Sequence, residues 1–168
     1  MKQIDLLGLK LCAYQAELFE RSYTYTNCSS KIFIRRFMNS ELATRMDQIG
    51  FLFDSISTDD ALKELENQYG VTSYGQQKFA PAELYWIGYL YRYWAYTEEK
   101  SSKQLYKIVK PEILSKVYLP YHSLDPLQAI ERIKESLGTS TTQPDDIARG
   151  VAILRKIRKK YYSSKITA

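Results

Sequence analysis

The chain has one histidine, two cysteines and seven glycines in 168 residues, and each scarcity removes a class of chemistry. A single imidazole, His122, leaves no HExxH pair and no cysteine–histidine ligand set on which a zinc site would be built. Cys12 and Cys28 lack CxxC spacing and read as free thiols of a reducing compartment rather than as a disulfide framework. Neither a GxxxxGK(S/T) loop nor GxGxxG occurs, so no glycine-rich backbone cradle for a phosphate is present. No run approaches the roughly 18 uninterrupted apolar residues that a membrane helix needs. The opening MKQIDLLGLKLCAYQAEL is interrupted by Asp5 and Lys10, and no small-residue cleavage site follows it, which argues against a signal peptide. The expectation is a cytoplasmic chain with no membrane partner, no metal and no cofactor.

What is there suffices for a core. An apolar fraction of 45% and a charged fraction of 26% are those of an ordinary globular domain, and a chain of this size buries about 70% of its unfolded surface. The net charge of +5 is uneven. Of the 24 Lys and Arg, seven lie from Arg149 onward without an acid among them, so the other 17 are outnumbered by the 19 acids.

Helical spacing recurs along the chain and strand alternation is scarce. Leu7, Leu11, Tyr14 and Leu18 fall at helical steps between about Ile4 and Arg21. Ser29 or Ser30 suits the cap of a helix through KIFIRRFM, and Asn39 or Ser40 that of the next, SELATRMDQIGFLF. Ser57 and Asp60 have capping-box form ahead of DDALKELENQY, which Gly70 ends. Pro81 opens a long helix, Ser101 and Ser102 break it, and Pro111 and Pro120 end two short helices. Asp125 and Pro126 start a helix that Gly138 stops. The linker-like GTSTTQP then precedes a last helix from about Pro144 to Tyr162. The pattern predicts an all-α single-domain bundle of about eight helices around a central aromatic-rich helix. Residues 1–138 form its core, and residues 139–168 a linker and basic C-terminal helix packed on or protruding from it.

That central helix holds five tyrosines and two tryptophans between Tyr85 and Tyr96. Leu84, Ile87, Tyr91 and Trp94 follow one face, and Trp86, Tyr89, Tyr93 and Tyr96 a neighbouring one. A helix apolar around most of its girth is buried among others, and Gly88, which costs up to ~1 kcal/mol against alanine, fits a close crossing by a second helix. Tyrosine in place of phenylalanine keeps hydroxyls that need partners, which suits a place with one dry and one wet end. Tyr89, Tyr93, Tyr96 and Arg92 are therefore candidate protein-binding residues. Arg92 inside this run also requires a carboxylate, with Asp125 and Glu83 as candidates, or a path to solvent.

Two weaker signals stand beside it. Arg155, Lys156, Arg158, Lys159 and Lys160 form a candidate surface for nucleic acid or an acidic partner, although cations at a helix C-terminus need no function to explain them. SKIFIRRFMNSELATRMDQIGF fits a helix-turn-helix poorly, with Arg35, Arg36 and Arg45 as its DNA-facing residues. His122 beside Tyr121, Ser123 and Asp125 is a thin basis for general-base catalysis. A loop histidine organising a helix entry explains it as well. The expectation is a protein that is not an enzyme.

In the stretches KIFIRRFMNSELA, APAELYWIGYLYRYWAYT and LPYHSLDPLQAIERI, across residues 29 to 135, the chain resembles a group of small uncharacterised helical bacterial proteins of Firmicutes type. The resemblance implies an operon carrying an ADP-ribosyltransferase-like toxin. In that setting the chain acts as an antitoxin-like protein that binds a cognate partner, with a nucleic-acid-binding regulator as the alternative. No catalytic residue carries over from the group.

Overall fold

The structure, a computed structural model, describes residues 1–48 and 56–138. Among them are eight α-helices and no strand, as the sequence pattern predicts: α1 (Leu6–Tyr25), α2 (Ser30–Met38), α3 (Glu41–Met46), α4 (Thr58–Tyr69), α5 (Pro81–Glu98), α6 (Ser102–Ile108), α7 (Pro111–Tyr121) and α8 (Pro126–Ser136). Met1–Ile130 makes one compact helical unit, and the division from the rest of the chain falls within α8. The expected linker and last helix, with Arg155, Lys156, Arg158, Lys159 and Lys160, lie outside the described residues.

Local chemistry sets most of the helix starts. Asp5, Ser29, Ser40 and Ser57 each accept a hydrogen bond from the backbone N–H three residues on, at 2.8, 3.4, 3.0 and 3.1 Å, satisfying donors that a helix leaves unpaired. At Ser57 the box closes differently from the expected pattern: the serine hydroxyl donates to Asp60 Oδ2 at 2.8 Å. The reciprocal box forms instead at Ser101 and Gln104, where the glutamine oxygen accepts from the cap's own N–H at 2.9 Å. Ser101 thus begins α6, while α5 has already ended with Glu99 in the left-handed region at φ 52°.

Two helices outrun their predicted ends. α1 continues through Tyr23 and Thr24 to Tyr25, because Lys78 Nζ reaches across and donates to the carbonyls of Tyr23 and Thr26. A cation there also complements the negative end of the helix dipole. α7 runs through Pro120 to Tyr121, since a proline in the final turn forfeits a single hydrogen bond. The N–H of His122, just past the helix, bonds to Tyr118 O at 2.8 Å.

α5 is the central helix, and its main neighbour is α1, which runs antiparallel to it. Gly88 meets α1 at Gln15, Ala16 and Phe19, and Gly8 meets α5 at Tyr96. The close approach expected at Gly88 is thus supplied by α1. Gln15 Nε2 donates to Gly88 O at 3.0 Å, so the contact is polar as well as steric. Phe19 continues the packing towards α2, edge-on to Phe33 at 5.4 Å and to Phe37 at 5.0 Å between ring centroids. Leu84, Ile87, Tyr91 and Trp94, the predicted inner row, are all buried, and Tyr91 Oη donates to Val109 O at 2.8 Å.

A methyl group at Gly88 would lie 2.8 Å from Phe19 Cγ, 2.9 Å from Gln15 O and 3.0 Å from Ala16 Cα. Two of those atoms are backbone and cannot rotate away. Alanine gains up to ~1 kcal/mol of helix propensity, whereas overpacking costs about 1–3 kcal/mol. Gly88→Ala is therefore expected to destabilise the fold, measured as a lower urea midpoint. A raised midpoint would contradict the α1–α5 contact.

Candidate functional site

The inward side of α5 carries a charge. Arg92 is 2% exposed, and each of its three nitrogens donates to a different residue. Nε bonds Gln15 Oε1 of α1 at 2.8 Å, Nη1 bonds Asp47 Oδ1 at 2.7 Å, and Nη2 bonds Ser102 Oγ of α6 at 2.9 Å. Asp47, at the end of α3, accepts in turn from Ser102 N at 2.8 Å and Ser102 Oγ at 2.7 Å. The carboxylate that Arg92 requires is thus Asp47, not Asp125 or Glu83. The reason is topological: the α3 C-terminus is brought beside the start of α6, where a carboxylate also satisfies a helix N-terminal donor. With its nitrogens engaged inside the fold, Arg92 is not a surface residue, which corrects its place among the candidate protein-binding residues.

The outward side of α5 is different. Tyr85 is exposed, and Trp86, Tyr89 and Tyr93 are half-buried. Tyr89 and Tyr93 stack at 6.4 Å with 25° between ring planes. Trp86 meets Tyr118 of α7 edge-on at 5.6 Å, and Tyr118 lies 4.9 Å from the His122 ring. Trp86, Tyr118 and His122 thus make a chain of rings from α5 to the end of α7, and helical spacing puts the stacked Tyr89 and Tyr93 on the same side of α5 as Trp86. Burial, then the neighbouring Cys12, Tyr85, Tyr93 and Asp125, hold the Tyr89 phenol above its ordinary pKa. Burial, then Asp125 and Cys12, do the same for Tyr93.

Tyr96 does not belong to that face. Its hydroxyl donates to the Asp5 carboxylate at 2.8 Å, and Lys2 Nζ lies 4.3 Å from its ring centroid. The residue fastens the entry of α1 to the end of α5. Helical spacing put Tyr96 in one row with Tyr89 and Tyr93, and no signal on α5 alone separates them. The sequence reading also missed Tyr118 and His122 as neighbours of Trp86, although their i, i+4 spacing marks one side of α7.

His122, Asp125, Arg36 and Arg45 are engaged structurally. His122 Nδ1 is 3.1 Å from Tyr118 O and 2.9 Å from Leu119 O, so this nitrogen carries the proton and donates to the last carbonyls of α7. Asp125 accepts from Leu127 N at 2.9 Å as the cap of α8. Arg36 donates to Gly70 O at 3.2 Å, and Arg45 pairs with Glu64 at 2.8 Å, tying both to the fold. A cavity of about 50 Å³ lined by Tyr25, Cys28, Arg36, Leu65, Glu66 and Thr72 has room for a few waters. Among the described residues there is no group of three His, Cys, Asp or Glu able to hold a metal ion, and no helix long and apolar enough to cross a membrane.

Comparison of the chain with protein-family models, curated proteins and solved structures finds no match. The resemblance to small bacterial helical proteins therefore rests on the quoted stretches alone.

Two outcomes test this geometry. Asp47→Ala strands a buried guanidinium and is expected to cost about 3–5 kcal/mol in urea unfolding, whereas replacing the pair, Arg92→Met with Asp47→Leu, costs much less. Burial also pushes the Cys12 thiol from 9.0 up to about 12, an effect that Arg92 only partly opposes. Below pH 9.0 both folded and unfolded chains hold that proton. Between 9.0 and about 12 only the unfolded chain releases it, so stability falls as pH rises, by up to ~1.4 kcal/mol per unit. Cys12→Ala is expected to flatten that alkaline decline in a pH series of unfolding midpoints.

Proposed function

We propose that the protein is a non-enzymatic interaction module that binds a cognate protein partner through the aromatic face of α5 and α7. One observation carries the reading: the ring chain Trp86–Tyr118–His122 and the stacked pair Tyr89–Tyr93 are each part open to solvent, and their α5 members share one side of that helix by helical spacing. Tyrosine and tryptophan supply large, stiff contact area with a polar tip, and they are enriched among residues that dominate binding energy. The buried Arg92 network beneath α5 holds the patch rigid, which lowers the ordering cost of association. The class of partner comes from the resemblance, which points to an antitoxin-like role against an ADP-ribosyltransferase-like toxin of the same operon.

A second reading, a nucleic-acid-binding regulator, draws on the seven basic residues and no acid from Arg149 onward. The two readings separate in one experiment. In affinity capture from the native host, a stoichiometric protein should be retained by the wild type, lost with Trp86→Ala combined with Tyr118→Ala, and kept when Lys156, Lys159 and Lys160 become glutamate. Retention of duplex DNA that falls steeply with salt and vanishes in the glutamate variant would favour the second reading. Loss of neither ligand in either variant would overturn both.

A further inference from the structure

The cavity of about 50 Å³ opens between the end of α1, α2, α4 and the segment that follows Gly70. Cys28, Phe33, Leu62 and Leu65 line it and are all buried, and Val71 lines it at 75% exposure. The cavity therefore runs from the surface to the core. A water takes about 10–15 Å³ of such space, so this one admits roughly four heavy atoms. That is the size of an isopropyl or isobutyl group, and it excludes an aromatic ring.

Two opposite charges share the lining, and both are anchored at Gly70. Arg36 Nη1 donates to Gly70 O at 3.2 Å, and the Gly70 N–H donates to Glu66 O at 2.7 Å. Glu66 Oε2 accepts from Tyr25 Oη at 3.1 Å, and the Arg36 guanidinium lies over the Tyr69 ring at 5.5 Å. Among the described residues, Arg36 and Glu66 form no ion pair with each other or with any other side chain. The other acids of α4 do, Asp59 with Arg21, Asp60 with Lys63 and Glu64 with Arg45. Arg36 Nε and Nη2 and Glu66 Oε1 have no hydrogen-bond partner among the described residues either. An unpaired cation, an unpaired anion and an apolar space for a short branched chain complement a zwitterion.

We propose that this cavity binds a free branched-chain α-amino acid. The side chain fills the space against Phe33, Leu62 and Leu65. The carboxylate accepts from Nε and Nη2 of Arg36, the two-pronged arrangement that a guanidinium offers a carboxylate, and the ammonium donates to Glu66 Oε1. A carboxylic acid or an amine of the same size meets one of the two charges and leaves the other unmatched. The site shares no residue with the rings of α5 and α7, so the two binding surfaces are tested separately.

The test uses the full chain with carbon-13-labelled leucine and valine methyl groups, titrated with unlabelled leucine and valine at physiological salt. Both ligands should shift the Leu62, Leu65 and Val71 methyl resonances saturably. Isocaproate, which lacks the ammonium, and isoamylamine, which lacks the carboxylate, should each bind at least roughly tenfold more weakly, since each forfeits hydrogen bonds to a charged group. Phenylalanine exceeds the space and glycine leaves it empty, so both should also bind more weakly than leucine. Glu66→Gln keeps the side-chain size and an acceptor for Tyr25, which retains the fold. It should weaken leucine by roughly tenfold without weakening isocaproate, a difference that a purely structural role of Glu66 would not produce. The absence of a saturable shift at millimolar leucine, or binding of either single-charge analogue, phenylalanine or glycine equal to that of leucine, would overturn the proposal. So would an unchanged leucine affinity in Glu66→Gln.

Discussion

A guanidinium buried at 2% exposure in the middle of the central helix constrains everything around it. Arg92 cannot remain there uncompensated, because a charge removed from water costs several kcal/mol unless its donors are met. Gln15, Asp47 and Ser102 meet them, and they come from α1, the end of α3 and the start of α6. Satisfying one side chain therefore fixes the mutual placement of four segments. The same Gln15 side chain turns its amide nitrogen to Gly88 O, which couples the charge to the close α1–α5 crossing. Hydrophobic burial alone would tolerate small slides of one helix on another. A three-way hydrogen-bonded charge does not.

This interior has a consequence for the surface. Because α5 is held from within by Arg92 and Gly88, its outward rings need not be buried for the helix to stay in place. Trp86, Tyr89 and Tyr93 remain part open, and Tyr118 and His122 extend the patch onto α7. The helix thus divides its aromatic residues between two tasks. Tyr91 and Trp94 fill the core, and Tyr91 finds its hydroxyl partner at Val109. Tyr96 closes onto Asp5 and Lys2 at the start of α1. The rings that stay part open, Trp86, Tyr89 and Tyr93, are thus fewer than the full row the helical period lays out.

Much of the framework was legible in the residues because its causes are short-range. Serine and aspartate caps act over three residues, a first-turn proline acts at its own position, and the inner row of α5 repeats with the helix period. Gly88 was readable as a crossing point because a glycine in a helix interior is otherwise only a cost. Of the two misjudged ends, one has a long-range cause and the other a local one. Lys78 extends α1 from more than 50 residues away in sequence, and the continuation past Pro120 depends on how the last turn of α7 is closed by His122.

Periodicity and capping settled that the chain is helical, where most of its helices begin, and which side of α5 faces inward, since each follows from contacts within a turn or two. The choice of Asp47 over Asp125 or Glu83 for Arg92, the separation of Tyr96 from Tyr89 and Tyr93, and the joining of α5 to the end of α7 were decided by tertiary structure. Each depends on which segments meet across long stretches of chain. The Arg92–Asp47 bond alone spans 45 positions, and helical spacing within one element carries no information about which distant carboxylate arrives there.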